Sequence, residues 1–238
     1  MTQKLIDKIK SRGYWRINFQ PLVFGQKIKT IGECKDLIQK NSVRLRGWDY
    51  PHFPQRVDDD TGTEPAAEYF AGWIDWNNHK EFWRMYKSGQ FLHYIALRED
   101  WLEEDDWHHN LSKEIKPMTS LGVVGSVIYQ MTEIFEFLSR ITNAGIYDEG
   151  VSVSIILKNT KGRELWIEDG NRMPFIFPHK TGADNIEFAK QYSKDELISK
   201  PKELAIEAIL LIFDSFGWDN PSMDVIRKDQ ENFLSGKY

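Results

Sequence analysis

The stretch Glu81-Phe-Trp-Arg-Met-Tyr-Lys-Ser-Gly-Gln-Phe-Leu-His-Tyr-Ile-Ala-Leu97 decides the fold class. Two alternating runs, 81–86 and 91–97, flank the turn Lys87-Ser88-Gly89-Gln90 and predict a β-hairpin. Phe82, Arg84 and Tyr86 share one face, with Trp83, Met85 and Lys87 on the other; Phe91, His93, Ile95 and Leu97 alternate with Leu92, Tyr94 and Ala96. Both faces are apolar, which places the hairpin centrally in a sheet covered on two sides.

Working outward, residues 14–24 and 69–76 read as further strands. Between them, Thr30 with Glu33 forms a capping-box pair ahead of Ile31, Cys34, Leu37 and Ile38 at helical spacing, which makes Cys34 a small core residue. A strand over 42–47 would complete a β-α-β opening. Downstream, Val123, Val127, Ile128, Met131, Ile134, Phe135, Leu138 and Ile141 predict a long helix over 119–143, with Gly122 and Gly125 allowing a neighbour close. Residues 151–157 and 164–167 predict a second hairpin around Asn159-Thr-Lys-Gly162, and 175–177 a further short strand. Ser193 with Glu196, and Pro201, mark the starts of two more helices, and Gly217 the end of the second. The expected class is α+β: a mainly antiparallel mixed sheet with a β-α-β opening, two hairpins and packing helices. One domain spans 1–238, with 99–116 as the place where two subdomains would divide.

Composition bounds the function. Apolar residues make up 41% and aromatic residues 13%, as in an ordered globular protein, and nine tryptophans supply either a thick core or rigid binding anchors. Cys34 is the only cysteine, so no intramolecular disulfide and no cysteine-based zinc site can form. With no secretion-signal pattern and no apolar run long enough for a membrane span, the expectation is a cytoplasmic protein that does not engage a membrane. Residues 1–56 hold 12 Lys+Arg against 4 Asp+Glu, and residues 57–110 hold 4 against 13. Such neighbouring segments are expected to face each other in the fold.

The candidate site lies in Ser42-Val-Arg-Leu-Arg-Gly-Trp-Asp-Tyr-Pro-His52. Val43 and Leu45 alternate with Arg44 and Arg46, Gly47 permits a bend, and Pro51 keeps Tyr50 extended. A strand delivering Trp48, Asp49 and His52 to a fixed corner follows, with Asp49 accepting from an arginine or from backbone amides. Arg44, Arg46, Trp48, Asp49 and His52 are the ligand- or partner-binding candidates. A nucleic-acid alternative uses Arg12, Tyr14, Trp15 and Arg16, pairing phosphate contacts with base stacking. A metal-dependent hydrolase is the third class. His108 and His109 sit in the acidic run 99–109, which reads as an exposed loop anchored by its tryptophans. His52, Asp49 and His93 could converge only through folding, and His93 shares a face with Phe91 and Ile95. No catalytic residue, metal ligand or cofactor is assigned. Walker, dinucleotide-binding, nucleophile-elbow and zinc-helix motifs are absent, and Asp58-Asp-Asp-Thr-Gly-Thr63 reads as a solvated turn, not a calcium loop.

Gly13-Tyr14-Trp15-Arg16, followed by Val43-Arg-Leu-Arg-Gly-Trp-Asp-Tyr-Pro-His52, resembles uncharacterised bacterial proteins. Some of these form the portion that follows a Schlafen-like, AlbA-related DNA-binding domain in longer regulators. The resemblance covers about the first 55 residues. It implies a bacterial accessory or sensing module, supplies no catalytic residues, and does not itself carry DNA binding over to this chain. The leading expectation is a non-catalytic module that binds a protein or small-molecule partner through an Arg/Trp-rich surface.

Overall fold

The structure is a computed structural model and describes residues 2–55, 57–104 and 118–237. Its elements in chain order are α1 (Thr2–Lys10), β1 (Tyr14–Pro21), α2 (Ile31–Asn41), β2 (Val43–Arg46), β3 (Trp48–Tyr50), β4 (Thr61–Pro65), β5 (Tyr69–Trp76), β6 (His79–Tyr86) and β7 (Phe91–Ala96). A 3-10 segment (Arg98–Glu104), β8 (Ser120–Gly122) and a π-helical turn (Val124–Tyr129) lead into α3 (Gln130–Asn143). Then come β9 (Val151–Lys158), β10 (Glu164–Trp166), β11 (Asn185–Tyr192), α4 (Lys194–Ser199), α5 (Pro201–Asp214) and α6 (Met223–Leu234).

The fold is α+β around a seven-stranded antiparallel sheet in the order β11-β9-β1-β7-β6-β5-β4. The β6–β7 hairpin is central, as its two apolar faces require. On one face Trp83, Met85, Phe91 and Ile95 join Trp15, Ile17 and Phe19 in the main core beneath α2, α3 and α5. On the other, Phe82 and Ala96 pack with Leu5, Ile6 and Ile9 of α1 and with Trp101.

Local signals are obeyed. Thr30 Oγ1 accepts from Glu33 N at 3.1 Å while the Glu33 carboxylate accepts from Thr30 N, and Ser193 with Glu196 closes the same box on α4. Pro201 opens α5. Cys34 is wholly buried, and burial pushes its thiol up to about 11.

Three expectations about the strands need correction. The order β1-α2-β2 occurs, but β2 does not join the large sheet; Gly47, at φ +61°, reverses the chain and β2 pairs with β3 in a two-stranded ribbon. The second hairpin does not form either. Asn159 and Gly162 make the expected turn with positive φ, but β10 then pairs parallel to β8. Arg163 anchors the chain away from the sheet: its fully buried guanidinium donates to both carboxylate oxygens of Asp100. The strand expected over 175–177 is irregular, with Ile176 and Phe177 exposed.

The expected helix over 119–143 becomes α-helical only at Gln130, since β8 and the π-helical turn occupy the stretch before it. Gly122 and Gly125 do admit a neighbour, the Glu168 carboxylate, which accepts from Val124 N and Gly125 N at 2.9 Å each. The acidic run also departs from an exposed loop in its described part. Glu99, Asp100, Trp101 and Leu102 are buried. The carboxylates are there to receive amides: Asp100 accepts from Gly13 N and Met118 N, and Glu99 from Gly122 N. His108 and His109 lie outside the described residues.

The basic and acidic segments do face each other. Lys8 bridges Asp75 and Glu104, Lys80 also reaches Glu104, and Arg12 pairs with Glu103 while lying over the Trp101 ring. Among the described residues, no helix is long and apolar enough to cross a membrane.

Candidate functional site

Three elements meet at one end of the central hairpin: the β2–β3 ribbon, the Asn77-Asn78 turn between β5 and β6, and the π-helical turn that opens α3. Between them lies a cleft of two contiguous chambers, about 300 and 510 Å³, which share Arg46, Asn78, Arg98, Gly125 and Ser126. These volumes are in the range of small-molecule sites. Short π-helical turns recur at functional sites because they widen the helix and open a groove.

The ribbon is held rigidly. Trp83 Nε1 donates to His52 O at 2.8 Å, His52 N donates to Glu81 Oε1 at 2.7 Å, and Ser42 Oγ donates to Pro51 O. Phe53 N donates to Asp49 Oδ2 at 3.3 Å, and His52 Nδ1 lies 2.6 Å from Asp49 Oδ1. Among the described residues Asp49 therefore accepts from a backbone amide and from no arginine, and the His52 ring lies beside it out of line for a hydrogen bond.

The first chamber is aromatic. Trp48 is sandwiched between His52, 4.4 Å away, and Trp76, whose ring is parallel at 5.4 Å. Trp76 remains 46% exposed. Trp15, buried on β1, also lines this chamber, as do Tyr50, Asn77, Gln130 and Glu133. The second chamber carries Tyr129, Trp166, Asp169, Asn171 and Arg172.

Arg46 separates the chambers. It donates twice to the buried Glu133 carboxylate, at 3.1 and 2.6 Å, and also to Gly125 O and Gln130 Oε1. Burial pushes the Glu133 carboxyl up, with Arg46 opposing. In the second chamber Arg172 grips Asp229 through both terminal nitrogens, at 2.7 and 2.6 Å, and Asp169 through Nε.

Glu81 sits at the back of the first chamber. Burial raises its pKa, but the His93 and His79 rings beside it prevail, leaving the carboxyl well below the usual range. Its oxygens lie 2.7 Å from His79 Nε2 and 3.3 Å from His93 Nε2, the latter out of line for a hydrogen bond. Burial depresses the His79 pKa, against the pull of Glu81. Because Glu81 is ionised, His79 presents Nε2–H to it, and that nitrogen, 3.2 Å from the Trp48 indole N–H, then has no lone pair to accept from it. The histidines turn to a carboxylate, and among the described residues no group of three or more His, Cys, Asp or Glu is placed to hold a metal.

The structure thus gathers Arg46, Trp48 and Asp49 at the cleft and sets His52 behind Trp48. Arg44 is exposed and does not line it, because a register irregularity between Arg44 and Arg46 breaks their shared face. Tyr14 and Trp15 are buried, Arg12 is paired with Glu103, and Arg16 is half-buried on β1. Sequence reasoning missed Trp76, Glu81, Gln130, Glu133 and the whole second chamber. A signal was present at Lys80-Glu81: adjacent charges next to Phe82 and Trp83 in a core strand mark a buried polar site.

No family model, curated protein or solved structure matches the chain.

Proposed function

We propose that this protein is a non-catalytic accessory or sensor module that binds a small-molecule ligand in the cleft between the β2–β3 ribbon and the π-helical turn. The observation that carries this reading is the half-exposed Trp76 stacked on Trp48 at the mouth of a preformed chamber. A large aromatic held rigid yet left open to solvent supplies binding area at little entropic cost. The nucleic-acid alternative has less support: Lys8 and Arg12 are engaged by acidic neighbours, and the stacking candidates Tyr14 and Trp15 are buried.

Thermal unfolding across a chemically diverse metabolite panel tests the proposal, using wild type beside Trp76→Ala and Ser126→Trp, which fills the junction of the chambers. A ligand that raises the midpoint of wild type alone is the expected result. A ligand acting equally on all three proteins binds elsewhere and overturns it.

A further inference from the structure

We infer that the ligand class is an uncharged oligosaccharide, lying along both chambers with one ring on Trp76 and another near Trp166. The inference rests on the cleft being the binding site and adds what the cleft selects.

The two arginines with defined partners have little left for an anion: four of the five N–H donors of Arg46 and three of those of Arg172 are engaged. Arg46 spends Nε and one terminal nitrogen on Glu133, and that same nitrogen and its twin on Gln130 Oε1 and Gly125 O. Arg172 spends all three nitrogens on Asp229 and Asp169. Arg98, the third arginine of the cleft, is partnered as well. Against these stand Asp49, Glu81, Glu133, Glu99, Glu168 and Asp169 along the same walls. A phosphate or carboxylate entering here would meet occupied guanidinium groups and a surplus of carboxylates, and would pay for desolvation without a bidentate partner.

The helix start offers no anion site either. The amides of Val124 and Gly125, which point towards the cleft, are already capped by Glu168. What the walls offer instead is flat apolar area edged by neutral polar groups. Trp76 and Trp166 stand in different chambers, and Asn77, Asn78, Ser126, Gln130 and Asn171 are distributed between them. Gln130, nine-tenths buried, keeps its Nε2 without an acceptor, and Glu99, also buried, keeps Oε2 without a donor. A ligand that answers this pattern has apolar ring faces, hydroxyls that both donate and accept around every rim, no net charge, and enough length to reach two tryptophans. A chain of sugar rings has all four properties; a single planar heterocycle lacks the length and the ring of hydroxyls.

The test is an immobilised panel of neutral gluco-, manno-, galacto- and N-acetylglucosamine oligosaccharides, with phosphorylated and sialylated counterparts, followed by titration of the best binder monitored by tryptophan fluorescence. Retention of neutral glycans, and a tenfold or larger loss of affinity for Trp76→Ala with recovery in Trp76→Tyr, is the expected result. Trp166→Ala should weaken a tetrasaccharide but not a disaccharide held at Trp76. Retention of charged glycans alone, or of none, overturns the saccharide inference. In that event a non-sugar ligand whose thermal shift disappears in Ser126→Trp leaves the cleft in place as the site, whereas a shift that survives in Ser126→Trp removes the cleft reading too.

Discussion

Replacing Arg46 by alanine removes the guanidinium that lies between the chambers and leaves Glu133 buried without its cation. Glu133 is 1% exposed, and the Arg46 side chain is 22% exposed. Breaking one side of such a pair costs roughly 3–5 kcal/mol, and the partial exposure of Arg46 argues for the lower end, about 3 kcal/mol. In a domain of this size each kcal/mol moves the unfolding midpoint by about 2–4 °C, so a fall of roughly 6–12 °C is expected. The loss must also depend on pH. A carboxyl whose folded pKa lies above its unfolded value, near 4.3, holds its proton more tightly when folded, so its ionisation costs stability as pH rises. Glu133 is already raised by burial, and loss of Arg46 raises it further. The gap between wild type and Arg46→Ala should therefore be wider at pH 8 than at pH 5, since the lower pH favours the protonated carboxyl, which needs no cation. Replacing both partners, Arg46→Met with Glu133→Leu, should cost less than Arg46→Ala alone, since no charge is then left behind. Urea unfolding of the three proteins at the two pH values is the assay. A loss below about 1 kcal/mol, a gap that does not change with pH, or a double variant less stable than the single one would refute the reasoning.

Two further outcomes follow from buried titratable groups. His79 has a depressed pKa, so the folded state resists its protonation and stability falls as pH drops below the unfolded value of about 6.5; His79→Gln should flatten the decline in urea midpoint between pH 6.5 and 5, and an unchanged slope counts against the assignment. Cys34 is wholly buried with its thiol pushed up to about 11, so iodoacetamide at pH 8 should leave the native protein unlabelled and label it fully in denaturant; rapid native labelling would place Cys34 outside the core.

Local chemistry was legible in the sequence and long-range pairing was not. The Thr30–Glu33 box, Pro201 and the glycine of the β6–β7 turn, Gly89 at φ +83°, state their own conformations within four residues, and each held. Strand β11 could have been read from Ile186, Phe188 and Tyr192 on one side, yet its polar intervening residues disguised it as loop. Gly47 announced a bend, but a bend does not say which strand the chain returns to. Val43–Arg46 is as compatible with the edge of a large sheet as with a ribbon, and only packing on α3 and α6 selects the ribbon. The acidic run misled because charge density is ordinarily a surface signal. Asp100 is buried only because Arg163 meets it from 63 positions away, and nothing near either residue names the other.

The same reasoning explains why the candidate site was half visible. Trp48, Asp49 and Arg46 stood out because they crowd one short stretch. Their counterparts reach the cleft from separate elements: Trp76 from β5, Glu81 from β6, Gln130 and Glu133 from α3, Trp166 from β10. Glu81 apart, each is unremarkable in its own segment. Glu133 reads as one more polar position on an amphipathic helix until Arg46 is found against it. A cleft assembled this way owes its polarity to partners chosen by the fold. Those pairings, and not the count of arginines in the corner, set the charge a ligand meets. The arginines of the cleft already have partners, Arg46 on Glu133 and Arg172 on Asp229, and what remains open is aromatic surface edged by amides and hydroxyls.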